Sequence, residues 1–297
     1  MLITGATGFL GSHLLKHLLQ KTDYNFIVLK RASSNLSRLS DIDKSRVAFF
    51  DVNEDFDNLS DVFKQHKISS IIHCATNYGR KEKSCINILK TNLIFPIKLL
   101  ELAVENNVTS FINTDSYFDK TQMSYMYLQD YSLSKKSLLL WLKYFSDKIK
   151  IANVILEHIY GETDSQDKFV SKLINEIAIK KAPQIDLTAG EQKRDFIYID
   201  DAVSAYEYIL NYTLTHKLKF KNFELGTGKA YSVKEFASIV KNESKSPTKL
   251  NFGAIAYRED EIMISTAQNS ELINLGWAPK FDITAGIRKY IDYERNK

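Results

Sequence analysis

The sequence predicts an α/β protein built on a doubly wound parallel sheet, with a smaller α/β part toward the C-terminus. Three observations lead there. Short apolar runs alternate with amphipathic segments through the first half, the rhythm of a parallel sheet covered by helices on both faces. A glycine-rich turn, "TGATGFLG", joins the first apolar run to the first amphipathic one. After residue 160 the rhythm gives way to longer helical stretches broken by isolated strands. A chain of 297 residues, 44% apolar, can supply one large domain or two unequal ones. The expected division is 1–160 and 161–297, with later residues returning a strand and a helix to the first part.

In order, "MLI" is a short strand, with only three residues before Thr4, and "SHLLKHLLQ" is the first helix. "FIVLK", "RVAFF", "SIIHCA", "SFINT" and "IANVIL" are further strands. "DVFKQHK" and "NLIFPIKLLELAVENN" are helices between them. Then "DKFVSKLINEIAIKK" reads as helix, and "RDFIYIDDAVSAYEYILNY" as a strand running into a helix capped by Asp200 or Asp201. "FELGTG" is a strand ending in a turn; "SVKEFASIVKNE" and "ITAGIRKYIDYER" are the last helices. The helix after Tyr131, with "SLLLWLKYF", and the "NLIFPIKLLELA" helix are apolar on more than one side, which calls for a second covering surface or a fully buried setting.

Composition excludes several classes. Net charge is +4 and the basic residues are scattered, so a nucleic-acid partner is not expected. Cys74 and Cys85 have neither metal spacing nor a redox motif, and Asp200 with Asp201 lacks companion ligands, so no metal is expected and a reducing compartment fits. No apolar run has the length of a membrane span, and the N-terminus is glycine-rich where a secretory leader is apolar. A soluble, cytoplasmic protein is expected.

Gly5, Gly8 and Gly11 stand between strand and helix, as in a Rossmann-type dinucleotide site. One glycine makes the turn, one lets backbone approach a pyrophosphate, and one lets helix pack on strand. The second strand ends in "VLKRASSNLSR", with Lys30, Arg31, Ser33 and Ser34 where an NAD site carries an acid. A guanidinium with hydroxyls suits a 2′-phosphate, so NADP(H) is expected, with Arg31 its main partner. The plain alternative is a pair of solvated strand-end charges. Asp51, after "VAFF", is placed at the adenine edge.

Tyr131 and Lys135 lie four apart on one helix face. A nearby ammonium favours tyrosinate and lowers a phenol pKa from its usual value of about 10. Thr114, ending "SFINT", can hydrogen-bond a substrate oxygen. The three form a proton relay suited to carbonyl reduction or alcohol oxidation beside a hydride carrier. His73 ends a strand and reads as structural.

With "TGATGFLG", "IIHCAT", "TNLIFPIKLLELA", "NTDSYF", "YSLSK", "HIYG", "RDFIYIDDAVSAY", "LGTG" and "LGWAP", nearly the whole chain resembles the extended short-chain dehydrogenase/reductases. These are nucleotide-sugar epimerases, dehydratases and ketoreductases. The resemblance implies NAD(P) in the N-terminal domain and a nucleoside-diphosphate sugar in the C-terminal one. It gives Thr114, Tyr131 and Lys135 the catalytic roles. It places Thr7, Phe9, Leu10, Val52, Ala75, Thr76 and Asn92 along the cofactor, with Lys135 at the nicotinamide ribose. His158 falls where many members have Asn. Tyr78, Ser116, Phe169, Arg194 and Arg258 are implied substrate contacts, the two arginines toward the diphosphate; a surface ion pair is the alternative for each. Tyr117, Tyr125 and Tyr127 would be loop or wall residues. Equivalent helices form a dimer bundle in the family, so a homodimer is expected.

The family's 4,6-dehydratases carry "TDEVYG" where this chain has "TDSYFD". Asp115 is kept, but Ser116 replaces the glutamate that water elimination needs. A 4-epimerase with tightly held NAD needs only the relay; Lys30 and Arg31 speak instead for NADPH and net reduction. The sixteen-residue spacing between Thr114 and Tyr131, "LEHIYG" and "FGAIAYREDEIM" resemble the 4-ketoreductases that make activated deoxysugars for O-antigen or capsule. A non-catalytic NADP-binding regulator is the reading from another class; such members commonly lose Tyr or Lys, and both are kept here.

Overall fold

The first strand, β1 (Leu2–Thr4), has only three residues and runs directly into the glycine turn at residue 5. It is nevertheless fully buried, with Leu2 in register with Ile27 on one side and Ile71 on the other. Burying a side chain of this size stabilises by about 2 kcal/mol, so neighbours on both sides offset the strand's brevity. The computed structural model describes residues 1–80, 84–120 and 127–297, apart from the side chains of Asp119 and Lys120. Tyr125 therefore lies outside the described residues.

The elements follow as α1 (Phe9–Lys21), β2 (Phe26–Arg31), β3 (Val47–Val52), α2 (Leu59–Gln65), β4 (Ser70–His73), α3 (Cys85–Leu89), α4 (Phe95–Glu105), β5 (Ser110–Ser116), α5 (Gln129–Phe145), β6 (Lys150–Leu156), β7 (His158–Tyr160), α6 (Phe169–Ile174), β8 (Gln184–Leu187), β9 (Lys193–Tyr198), α7 (Ile199–Thr215), β10 (Phe220–Leu225), β11 (Ala230–Ser232), α8 (Val233–Ser244), β12 (Lys249–Phe252), β13 (Ile264–Ser265), α9 (Ser270–Asn274) and α10 (Ile283–Arg295). Seven strands form a parallel sheet in the order β10-β6-β5-β4-β1-β2-β3. The order reverses at β1 and β4, and a doubly wound sheet opens its ligand crevice at such a point, beyond the strands' C-terminal ends. The predicted fold class is the observed one.

The described residues form two compact units. One comprises those within Met1–Met123, Leu128–Ile155 and Val203–Phe223; the other, those within Ser124–Tyr127, Leu156–Ala202 and Glu224–Lys297. In the second unit β9 pairs with β7, β11 and β13, and β8 pairs with β12. The buried Asp195 holds the "LGTG" turn, accepting from the backbone of Thr227 and Gly228 at 2.9 Å each and from the Thr227 hydroxyl at 2.7 Å. Such donors make a buried carboxylate tolerable. A capping box between Ser232 and Glu235 starts α8.

One expectation is corrected here. Asp200 and Asp201 do not cap α7, which already begins at Ile199; both lie in its first turn. Asp201 accepts instead from the backbone of Lys280 and Phe281 at 2.9 Å, and Asp200 pairs with Lys289. They clamp the C-terminal segment, a task that local sequence resembles a cap in.

Between α3 and α4 the chain makes a π-helical turn, Lys90–Ile94. Pro96 has no N–H to offer the carbonyl four residues back, and the amide of Phe95 bonds Lys90 instead. The widened turn carries Asn92 inward, where it is 1% exposed. α5 buries Leu138, Leu142 and Phe145 but leaves Leu133, Leu140, Trp141 and Tyr144 exposed along one stripe, as Ile86 and Ile94 are on the segment before α4.

His73 is buried between Phe95 and Phe111, its Nδ1 2.9 Å from the Thr4 hydroxyl. Burial pushes its pKa down to about 3, with help from the Lys135 charge. The unfolded chain takes up this proton near pH 6.5, so the histidine's contribution is whole above that value and is lost as pH falls toward 3. One such group adds a slope of about 1.4 kcal/mol per pH unit in that window. Urea midpoints measured from pH 7 to pH 4.5 are expected to fall less steeply in His73→Gln than in the wild-type chain. Parallel curves would contradict this.

Candidate active site

The glycine turn has the shape its sequence implies. Gly5 has φ +69°, and a Cβ there would lie 2.6 Å from the Ala75 nitrogen. A Cβ on Gly11 would lie 2.2 Å from the Gly5 carbonyl oxygen. Gly8 donates to that same oxygen at 2.9 Å and precedes α1 without a side-chain cap. The first-turn amides of α1 are thus left for an anion, and the bare backbone at residues 5, 8 and 11 makes a cradle that a pyrophosphate fits. Thr7 and Leu10 are half-buried; Phe9 and Val52 are buried and shape the turn's surroundings. Ala75 donates to the Thr4 hydroxyl at 3.2 Å, holding the end of β4 against the turn.

At the end of β2 one expectation changes. Lys30 stands in register with Asp51 on β3 and forms an ion pair with it. Its ammonium is answered by that carboxylate, so neither residue presents an isolated charge to a cofactor. Arg31 and Ser33 are exposed, and the Ser34 hydroxyl accepts from the Arg31 backbone at 3.1 Å. A short turn, Ser37–Leu39, brings Arg38 back over the glycine loop, where it donates to the Thr7 carbonyl at 3.4 Å. Sequence reading missed Arg38; its only signal was a second arginine closely following Arg31.

Thr114, Tyr131 and Lys135 are brought together. β5 ends at Thr114 to Ser116, and α5 delivers Tyr131 and Lys135 from successive turns, each 3% exposed. The Lys135 ammonium donates to the Thr114 carbonyl at 2.8 Å and lies 5.9 Å from the Tyr131 ring centre. Tyr131 stacks on Tyr78 with ring centres 5.0 Å apart and meets Phe118 edge-on. Burial, with Tyr78 next, pushes the Tyr131 pKa well above 10, and the nearby Ser116 hydroxyl only partly opposes this. The expected lowering by Lys135 is therefore corrected: the ammonium is committed to a backbone carbonyl, and burial dominates. Burial lowers the Lys135 pKa, while Asp115 and Cys74 pull it back up. The Thr114 hydroxyl lies 2.7 Å from the Tyr206 hydroxyl and 3.4 Å from the Cys74 sulfur.

Side chains alternate along a strand, so Asn113 and Asp115 turn away from Thr114 and Ser116. Asp115 accepts from its neighbour's backbone, Ser116 N, at 2.8 Å and from Asn153 at 3.0 Å. Asn153 also bonds Asn113 at 2.7 Å and Asn222 at 3.0 Å. This buried polar network absorbs the carboxylate. On α5's near side, Asn92 donates to Ser134 at 3.0 Å and to the Asn77 carbonyl at 2.9 Å, and accepts from Asn77 and Thr76. Asn92 thereby joins the "HCATN" loop to the catalytic helix.

In the second unit, Arg194 is 6% exposed and donates to Glu261 at 2.6 Å. The other oxygen of Glu261 lies 3.9 Å from Arg258, whose guanidinium covers the Tyr127 ring at 3.7 Å. One carboxylate thus gathers both predicted arginines, a link the sequence did not reveal. His158 meets Phe196 edge-on, and burial plus the Arg194 charge bring its pKa down to about 3. Phe169 opens α6 and is exposed. Among the described residues no cluster could hold a metal ion, and no helix is long and apolar enough to cross a membrane.

A doubly wound sheet with a glycine-turn cradle at its reversal point, beside a buried Tyr-Lys pair, defines a dinucleotide-binding protein of the dehydrogenase/reductase type. The chain belongs to the NAD dependent epimerase/dehydratase family, whose model matches residues 1–221. It is 37% identical over 300 residues to a CDP-abequose synthase of Salmonella muenchen, covering 98% of this chain and 96% of that one. A CDP-abequose synthase of Salmonella typhimurium is 34% identical, covering 98% and 97%. The fold matches the crystal structure of UDP-glucose 4-epimerase from Thermotoga maritima with UDP-glucose, at TM-score 0.84, 20% identity and coverage of 99% and 98%. A UDP-glucuronic acid 4-epimerase from Bacillus cereus, in complex with UDP-glucuronic acid and NAD, also matches at TM-score 0.84 with 22% identity.

Proposed function

We propose that the protein is an NADPH-dependent 4-ketoreductase of a nucleoside-diphosphate 4-keto-deoxysugar, similar to CDP-abequose synthase, and that its product is an activated deoxysugar for O-antigen or capsule. The observation that carries this reading is the surroundings of Tyr131. A serine hydroxyl meets the phenol where a dehydratase has a glutamate, and Asp115 is bound into the Asn153 network. Among the described residues, a hydroxyl rather than a carboxyl stands at the position that water elimination needs, and a buried phenol suits proton delivery to an alkoxide.

The glycine turn and α1 would hold the pyrophosphate, and Arg31 with Arg38 the 2′-phosphate. When bound, NADPH supplies the hydride for C4. Tyr131 protonates the developing alkoxide. Thr114 orients the keto oxygen. Lys135 fixes the end of β5 through its bond to the Thr114 carbonyl and keeps a positive charge under the site. Arg194 and Arg258 would bind the sugar nucleotide's diphosphate, with Glu261 as their resting partner. The exposed stripe of α5 would form the dimer bundle, and the cytoplasm is the expected compartment.

The test is loss of NADPH absorbance with a panel of CDP-, GDP-, dTDP- and UDP-linked 4-keto-6-deoxy sugars, followed by NMR of the product. Turnover with at least one is expected, and Arg31→Ala should raise the KM for NADPH about tenfold with little change for NADH, the scale of one lost charge-assisted contact. C4 epimerisation without NADPH consumption would replace this reading by an epimerase. Cofactor binding without any turnover would point to a regulator.

A further inference from the structure

We infer that Tyr206 is a positioning residue for the reaction, acting by turning the hydroxyl proton of Thr114 toward the substrate's oxygen. The inference rests on the reading of Thr114 as the group that meets the keto oxygen.

A threonine hydroxyl has one proton and can spend it once. To help a carbonyl it must donate to the carbonyl oxygen, so that proton must not be tied to a strong acceptor. Tyr206 is fully buried, on the part of α7 that packs with the catalytic strands, 92 residues further along the chain than Thr114. Its hydroxyl lies 2.7 Å from the Thr114 hydroxyl. A buried phenol without a bond is costly, so this contact is the one that satisfies it.

The direction of the bond follows from the third member. Thr114 donates to the Cys74 sulfur at 3.4 Å, so its oxygen is the acceptor for Tyr206. The protons run from Tyr206 to Thr114 to Cys74. Sulfur is a weak acceptor. The Thr114 proton therefore rests where it can be withdrawn at small cost, and the phenol behind it prevents it from turning the other way. A carbonyl oxygen arriving at the site replaces sulfur as the acceptor. No proton is transferred in this step; one hydrogen bond is exchanged for a stronger one.

The experiment is a four-protein cycle of wild type, Tyr206→Phe, Thr114→Val and the double variant, with kcat and KM measured on the 4-keto sugar that the wild type reduces. Tyr206→Phe is expected to lower kcat about tenfold, the scale of one hydrogen bond realised in the transition state, and to leave KM within about twofold. In the Thr114→Val background the same change should cost less than about twofold, because the hydroxyl it orients is gone. Equal losses in both backgrounds, or a change in KM alone, would overturn the inference.

A second measurement needs neither turnover nor a variant that folds. In wild-type protein carrying labelled tyrosine Cζ, the Tyr206 signal should split in mixed H2O and D2O, as for a phenol proton held in a buried bond. A single averaged line would overturn the inference. Absence of NADPH oxidation by the wild type would overturn the ketoreductase reading, and the labelled-tyrosine spectrum separately tests the bond between Tyr206 and Thr114.

Discussion

Replacing Tyr131 with phenylalanine is expected to lower kcat at least about 100-fold, the scale of a positioned general acid, while the affinity for NADPH stays within about twofold. The ring makes its contacts with Tyr78 and Phe118 through its faces and edges, and phenylalanine keeps them. Only the hydroxyl, with its interaction with the nearby Ser116 hydroxyl, is lost. The direction of the Tyr131 shift adds a second expectation. In reduction the phenol must be protonated before it can donate, and rate is lost as pH rises through its pKa. Burial holds that value well above 10, so the reductive rate should show no loss from phenol ionisation between pH 6 and pH 9. Had the lysine pulled the phenol down, the rate would fall across that range. A variant turning over within tenfold of wild type would remove Tyr131 from the chemistry.

The difference between the expected and the actual surroundings of Tyr131 shows where local sequence stops being informative. Four-residue spacing on a helix is a statement about direction, and α5 delivers Tyr131 and Lys135 together as that spacing requires. Where the ammonium then points depends on β5, whose Thr114 carbonyl claims it. The parallel sheet was legible because strands buried on both faces are continuous apolar runs. The glycine turn was legible because its conformation admits few other residues. Tyr206 and Glu261 carried no such mark. They stand 92 and 67 residues from the side chains they bond, and only the folded chain assembles those pairs. Asp201 was misread for a related reason: a carboxylate near a helix start looks the same whether it caps that helix or accepts from amides 79 and 80 residues away.

Gly11→Ala and Gly8→Ala are expected to fail differently, and the difference separates the two duties of the glycine turn. At Gly11 an added Cβ would lie 2.2 Å from the Gly5 oxygen and 2.9 Å from the Ala6 Cα. Both are backbone atoms and cannot rotate aside, so α1 must move off β1. That displaces Leu14, Leu15 and Leu18, each fully buried. Overpacking of this kind costs about 3 kcal/mol, and the melting temperature should fall by roughly 6–10 °C even without cofactor. At Gly8 the backbone is already in a conformation any residue adopts, with φ −84°, and the nearest contact of a Cβ would be 3.2 Å. The fold should tolerate that methyl group within about 1 kcal/mol. It would stand, however, at the uncapped start of α1, where a pyrophosphate needs bare backbone. NADPH binding should therefore weaken about tenfold or more in Gly8→Ala, read by fluorescence titration, with little change in melting temperature. If Gly8→Ala lost stability and kept its cofactor affinity, the turn would be a structural device alone, because the residue with room for a methyl group would be the one the fold cannot spare.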